Sequence, residues 1–367
     1  MIPLLISLTG FQYQESNQLK TMMPNGSIIY CENRTSPYVS IQLILSNREL
    51  PDKASNYGYR HLLEHIVARS LKGHDYEVET IGGFLFATTS RDWLKFEWRL
   101  PPDKLNLAFK GMAAFLKDCG ATTESIKRES LAISQEIALA NSLEISSKMA
   151  WKSIYGENGL DPVGSKDSVM TATPKDLQDI WRQITKGSNV VISACGTLNL
   201  KSFTSSCQDV LSGLTTSKPG EISGRSVDGS FGTPLTIGIP VPSIATRQGA
   251  SALVAAFGLA GRLNRPYVTY TPSIRPGVVV VGTTDPYDSI KQAIDSGDPA
   301  TAFYVGRLNA MQWLRIRLST PDSAAEFNGT LLSLSPSLRP KKIAESIELA
   351  SYAEFQRSWS LMKGVAK

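Results

Sequence analysis

All three histidines of the 367-residue chain lie within one fourteen-residue stretch, and two of them frame a glutamate in His61-Leu62-Leu63-Glu64-His65. Read as a helix, His61, Glu64 and His65 fall at i, i+3 and i+4 and share one face, while Leu62, Leu63, Ile66 and Val67 fall largely on other arcs and can be buried. Two imidazoles one turn apart can hold a single Zn²⁺, and the carboxylate between them can act on a water without being a ligand itself. A helix whose polar face happens to carry two histidines is the plainer explanation of His-X-X-X-His alone. The intervening Glu64 is what that explanation leaves unused.

A catalytic zinc takes three protein ligands and keeps a position open, so a third ligand must come from elsewhere. Glu136 is the candidate. It lies in a helical run from about Thr123, seven residues after Glu129, so the two carboxylates stack on one face. One can ligate while the other orients the ligands. Both would also suit an exposed surface helix, and composition does not choose between these readings.

The elements that must position these residues can be read around them. Turn chemistry at Pro24-Asn25-Gly26 precedes a strand at Ile28–Cys31, and Tyr38–Leu45 alternates as a second strand. Gly82-Gly83 closes a short helix, and strands at Phe84–Thr89 and Trp93–Leu100 flank the polar turn Ser90-Arg91-Asp92. Helices are expected over Lys104–Cys119, Thr123–Met149, Pro174–Ile184 and Leu200–Leu214, with a buried strand at Asn189–Ala194. The Gly-, Ser- and Thr-rich residues 215–233 read as a linker. They divide a first domain, 1–214, from a smaller second one, 234–367. The second contains strands at Leu235–Ile239 and Val278–Val281 and helices at Ala250–Leu259, Ala300–Leu318 and Ile343–Met362. This order implies an α+β fold: two similar domains, each a largely antiparallel sheet with helices packed on one face.

Hydrophobic content of 42% and charged content of 19% are those of an ordinary globular protein. The run Met1–Leu8 is apolar but lacks a basic flank, so no secretory leader is expected. No apolar run has the length of a membrane span. Cys31, Cys119, Cys195 and Cys207 are scattered, as suits reduced thiols and a cytoplasmic location. From residue 218 onward there are 16 basic and 11 acidic residues, enough to account for the net charge of +5. They form no dense basic tract with interleaved aromatics, so neither a nucleic acid nor a membrane partner is expected.

On His61-X-X-Glu64-His65, and on Arg128-Glu129 followed by Glu136, the first 210 residues resemble the pitrilysin/insulinase family of inverted zincins. Pro24-Asn25-Gly26, Ile81-Gly82-Gly83, Asp161-Pro162-Val163-Gly164 and Val190-Val191-Ile192 before Gly196 agree with it. The resemblance implies one Zn²⁺ per chain on His61, His65 and Glu136, Glu64 as general base, and Glu129 behind the ligands. It implies a peptide substrate paired along an edge strand, Leu85, Phe86, Ala87, Thr88 and Thr89. Two such chains are expected to close as a clamshell around a chamber. Three departures qualify it: the interval from His65 to Glu136 is a few residues short, Phe86-Ala87-Thr88-Thr89 stands where the family has Asn-Ala-X-Thr, and the family's Arg/Tyr pair is only faintly matched by Arg262, Tyr267 and Tyr270. A homologous metal-free subunit could supply that pair, so a heterodimer is expected, with a homodimer as the other arrangement. The functional expectation is a zinc metalloendopeptidase subunit. Its rival is a non-catalytic scaffold or peptide-binding subunit of the same fold.

Overall fold

The alternation along Val39–Ser46 sends Val39, Ile41, Leu43 and Leu45 to one face of a sheet and Ser40, Gln42 and Ile44 to the other, all of them buried. A strand buried on both faces needs a layer on each side. The computed structural model, which describes residues 17–48, 52–139, 141–220, 222, 224–244, 246–285 and 289–366, shows where the two layers come from. The Met1–Leu8 run lies outside the described residues.

The first half runs β1 (Gln18–Met22), β2 (Ile28–Asn33), β3 (Val39–Ser46), α1 (Tyr59–Ala68), α2 (His74–Thr80), β4 (Phe84–Thr89), β5 (Trp93–Leu100) and α3 (Asn106–Lys117). It continues through α4 (Thr123–Ala138), α5 (Ser142–Tyr155), α6 (Lys166–Met170), α7 (Pro174–Ile184), β6 (Val190–Gly196) and α8 (Leu200–Leu211). Its six strands form a sheet in the order β1-β2-β6-β3-β5-β4, antiparallel except for β2 with β6. The second half runs β7 (Phe231–Gly232), β8 (Thr236–Val241), α9 (Arg247–Ala260), β9 (Pro266–Thr269), β10 (Gly277–Thr283), α10 (Ile290–Asp295), α11 (Pro299–Ile316), α12 (Pro321–Leu334), α13 (Pro340–Glu348) and α14 (Tyr352–Val365). Its antiparallel sheet has the order β7-β8-β10-β9. The fold is α+β, with two sheets and helices layered on each.

Each sheet has its own helices on one face and a helix from the other half on its second face. On the first sheet, Leu43, Leu45, Phe96 and Trp98 share a core with Leu62, Leu63, Met112 and Phe115. The opposite face takes α12. There Lys95 Nζ donates to Glu326 at 3.0 Å and to Thr330 at 3.0 Å, Tyr38 donates to Asp322 at 2.7 Å, and Trp93 Nε1 donates to Ser333 Oγ at 2.5 Å. In return, Ala150, Trp151, Ile154 and Tyr155 of α5 pack with Phe231, Val278 and Val280 of the second sheet, and the Tyr155 hydroxyl donates to the Gly277 carbonyl at 2.8 Å.

Four sequence expectations therefore change. The linker 215–233 already contains β7, because Phe231 is needed to cover α5. A division at 214 and 234 cuts each sheet from the helix on its far face. The helix expected over Thr123–Met149 is two helices, since Asn141 caps α5 with a reciprocal box to Glu144, and that expected over Ile343–Met362 is broken where Ser351 does the same with Glu354. Helix α12 was not anticipated at all. Among the described residues no helix is long and apolar enough to cross a membrane.

Candidate active site

Helix α1 begins after Gly58, whose φ of +89° suits glycine alone, and a Cβ there would lie 2.7 Å from the Cα of Gly164. This close approach seats the Asp161-Pro162-Val163-Gly164 loop on the start of α1. The loop then offers the Val163 carbonyl to His61 Nδ1 at 3.3 Å. One turn on, His65 Nδ1 lies 3.5 Å from Glu129, which is fully buried and held by Arg69 at 2.8 Å and Arg128 at 2.7 Å. With a proton on each Nδ1, facing these two acceptors, both Nε2 lone pairs would face inward.

The Nε2 atoms are 3.2 Å apart, and the Glu136 carboxylate reaches each of them at 3.4 Å. Two facing lone pairs and a carboxylate repel one another unless a cation sits among them. A tetrahedral zinc with bonds of about 2.0–2.1 Å has ligand-to-ligand edges of roughly 3.3–3.4 Å, so the triangle has the right size for that ion. His61, Glu64 and His65 also offer donor atoms that all lie within 4.8 Å of one another. Burial holds the His61 pKa below its ordinary value, which favours the neutral ring that can ligate.

Glu64 is placed differently from Glu136. The Thr89 hydroxyl of β4 donates to its Oε2 at 2.5 Å, and burial raises its pKa, an effect partly opposed by His61 and Thr89. The Glu136 side chain keeps 51% of its surface exposed, which leaves the cluster open on that side. Among the described residues strand β4 pairs only with β5, and its other backbone edge, beginning beside Glu64, is free of a strand partner. Leu85, Ala87 and Thr89 turn toward the helices, whereas Phe86 and Thr88 turn to the other face.

A cleft of about 560 Å³ joins the two halves here, lined by His61, Thr89, Arg91, Glu136 and Trp151 on one side and by residues 269–273 on the other. Two charge clusters missed in the sequence shape it. Buried Arg60 binds Asp52 through two bonds of 3.0 and 2.6 Å and donates to the carbonyls of Ser90 and Arg91, fastening the turn after β4 to α1. Buried Asp92 accepts from Arg275 at 2.9 Å, Arg225 at 3.1 Å and the backbone N–H of Ile274 at 2.9 Å, fastening the same turn to the second half. Arg60 beside the motif on a helix was the one local signal. The Asp92 partners lie more than a hundred residues away in sequence.

The three residues weighed as an Arg/Tyr pair do not converge on the cluster. Arg262 donates to the carbonyls of Ala293, Ser296 and Asp298 and lies over the Trp359 ring at 5.1 Å. The Tyr267 hydroxyl is 2.8 Å from Thr236 Oγ1. Tyr270 reaches the cleft wall, but its ring packs on Trp313 in the second-half core. The polar ends of Arg262 and Tyr267 are already satisfied where their own helix and strand put them. His74 is likewise structural: it is buried and accepts from Trp98 Nε1 at 3.1 Å.

Residues 28–158, which carry the cluster and β4, match the family model for insulinase (peptidase family M16). The stretch that carries the cluster is thus similar to an insulinase-family domain. A relative of this domain is the mitochondrial-processing peptidase subunit beta of Caenorhabditis elegans, 24% identical over 188 residues, which are 49% of this chain and 41% of that protein. The chain thus matches well under half of that relative's length. Among solved structures, a protease from Helicobacter pylori superposes with a TM-score of 0.75 at 13% identity, covering 94% of this chain and 96% of that one. An M16-like protein of Alicyclobacillus acidocaldarius gives 0.74 at 15% identity, covering 94% of each chain. At such identities the likeness concerns the fold alone, and it covers both halves.

Proposed function

We propose that the chain is the metal-bearing subunit of a zinc endopeptidase that cleaves peptides laid as an added strand along β4. The observation that carries this reading is the convergence of His61, His65 and Glu136 within 3.2–3.4 Å of one another, beside a general base tied by Thr89 to a free sheet edge. Zn²⁺ held by those three residues would polarise the scissile carbonyl and lower the pKa of water.

The protein's own residues divide the remaining work. Glu64, held by the Thr89 hydroxyl, takes a proton from the attacking water and hands it to the departing amine. Val163 and Glu129 hold the two imidazoles in the tautomer that ligates. The β4 backbone from Leu85 to Thr89 supplies N–H and C=O groups to an extended peptide, a sequence-tolerant way of binding.

The proposal includes a heterodimer with a homologous metal-free subunit. Leu139 (81% exposed), Ile145 and Met149 are bare on the helices that carry Glu136 and line the cleft, and a second clamshell half would cover them. The relative's designation as subunit beta fits this arrangement. Four buried, unpaired thiols fit a reducing compartment, and we place the protein in the cytoplasm. The rival reading, a non-catalytic peptide-binding subunit, draws on Phe86 in place of the family's Asn and on Arg262 and Tyr267 being committed elsewhere.

The deciding experiment measures zinc content and peptide cleavage by the isolated chain across concentrations, then with a candidate partner. One zinc per chain and turnover that depends on the partner are expected. Bound zinc with no turnover under any pairing would establish the rival, and turnover rising with the chain's own concentration would replace the heterodimer by a homodimer.

A further inference from the structure

Strand β4 has two faces, and the peptidase reading uses one of them. On the second face Phe84 and Phe86 are 48% and 50% exposed, and their rings stack with centroids 6.2 Å apart at an interplanar angle of 16°. They border a groove of about 330 Å³ completed by Thr88, Lys95 and Arg99, with Glu326 of α12 at its end. Thr88 belongs to this groove and also to the wall of the catalytic cleft, so the two are continuous along the strand.

The charged residues bordering the groove are paired: Lys95 with Glu326 at 3.0 Å, and Arg99 with Glu97 at 2.6 Å and Asp322 at 3.2 Å. What it offers a ligand is therefore the pair of phenyl faces rather than a net charge. A peptide added to β4 must direct alternate side chains to opposite faces of the sheet. Those on one face lie beside Glu64, and those on the other pass over the groove at the i, i+2 spacing of Phe84 and Phe86. At roughly 3.3 Å per residue, Phe86 lies about 10 Å and Phe84 about 17 Å along the strand from Thr89, the residue bonded to the base.

We propose that Phe84 and Phe86 form a specificity subsite that selects peptides with apolar or aromatic side chains at two alternate positions, three to five residues to one side of the cleaved bond. This rests on the peptidase reading and adds a substrate class to it. Cross-strand aromatic pairs are favoured over polar ones, so the subsite gives sequence preference to a strand whose backbone bonds confer none.

The test uses the full-length chain carrying Glu64→Gln, which binds without cutting, and fluorescence anisotropy of labelled twelve-residue peptides. A polar host peptide carrying Phe-X-Phe, moved stepwise along it, is compared with Ser-X-Ser. In its best register the Phe-X-Phe peptide should bind about tenfold more tightly, the scale of two aromatic cross-strand pairs. The combined Phe84→Thr and Phe86→Thr variant, which keeps strand-forming residues at half-exposed positions, should bring the ratio of the two affinities to about one. Equal binding of the two peptides by the parent, or a preference that survives in the double variant, would overturn the subsite and leave the peptidase reading standing. Failure of every peptide to bind, with the candidate partner as well as without it, would overturn both. If the double variant loses Ser-X-Ser as well, Phe84→Thr alone decides: a reduced preference supports the subsite, and an unchanged one overturns it.

Discussion

Helices α1 and α9 each follow a central strand and lie on the helical face of their own sheet, yet only one of them carries a reactive face. From Gly249 to Ala260 every residue of α9 except Phe257 is buried, none of them is titratable, and the helix is packed on by α11, α13 and α14 as well as by its sheet. Helix α1 buries Leu62, Leu63, Ile66 and Val67 in the same way but lies against the edge strand β4 and the cleft, where Glu64 and His65 stay partly accessible. A helix enclosed on all sides has no arc left for chemistry. The two halves share a building plan and differ in what each leaves uncovered at the end of its sheet.

The largest effect expected comes from making α1 as inert as α9. His65→Ala should lower zinc from about one per chain to none in elemental analysis, since His65 supplies one corner of a triangle whose other corners cannot close alone; retention of the metal would refute the assignment. Glu64→Gln should retain the metal and reduce peptide hydrolysis by about two to four orders of magnitude, the usual scale of a general base. Full activity in that variant would transfer the base to another residue.

The contrast can also be tested from the scaffold side. Gly329 lets α12 approach the first sheet: a Cβ there would stand 2.5 Å from Ile44 Cδ1 and 2.8 Å from Ser193 Cβ. Gly329→Ala should therefore cost about 1–3 kcal/mol in denaturant unfolding. Arg262→Ala should cost about 1 kcal/mol through lost carbonyl bonds and leave kcat/KM within about twofold of the parent, the scatter of a change that removes no transition-state contact. A large fall in kcat/KM at preserved stability would return Arg262 to the active site.

The smallest effect concerns pH. Lys95 holds the Glu326 carboxyl below the ordinary glutamate range. A depressed folded-state pKa means that the pair's contribution to stability is present above the unfolded value of about 4.5 and is lost as pH falls through the lower folded value. Glu326→Gln should flatten the acid limb of the stability curve by less than about 1 kcal/mol, since the Glu326 side chain is 42% exposed.

The reactive parts of this contrast were legible in the sequence because they are local. His61, Glu64 and His65 lie within one turn of helix, and Phe84–Thr89 alternates between turn signals. The remainder depends on distance. The bond from Asp92 to Arg275 spans 183 residues, and no window of sequence could pair them. Helix α12 escaped notice because Asn328, Gly329, Thr330 and Ser333 blur its apolar stripe, and those small or polar residues are what a sheet face bearing Ser40, Gln42, Ser193 and Lys95 requires. The breaks at Asn141 and Ser351 are encoded as capping boxes within apolar periodicity that runs on through them.

The exchange of α5 and α12 between the halves bears on what happens when the chain is cut. Each half holds the other by an element inserted from beyond the linker, so covalent continuity through residues 215–230 is not what keeps them together. A proteolytic nick there would leave two fragments that co-migrate under native conditions and separate only in denaturant. Residues 28–158, for all that they bear the reactive groups, would be released with the apolar face of Trp151, Ile154 and Tyr155 bare, which makes that segment a poor candidate for life as an autonomous module.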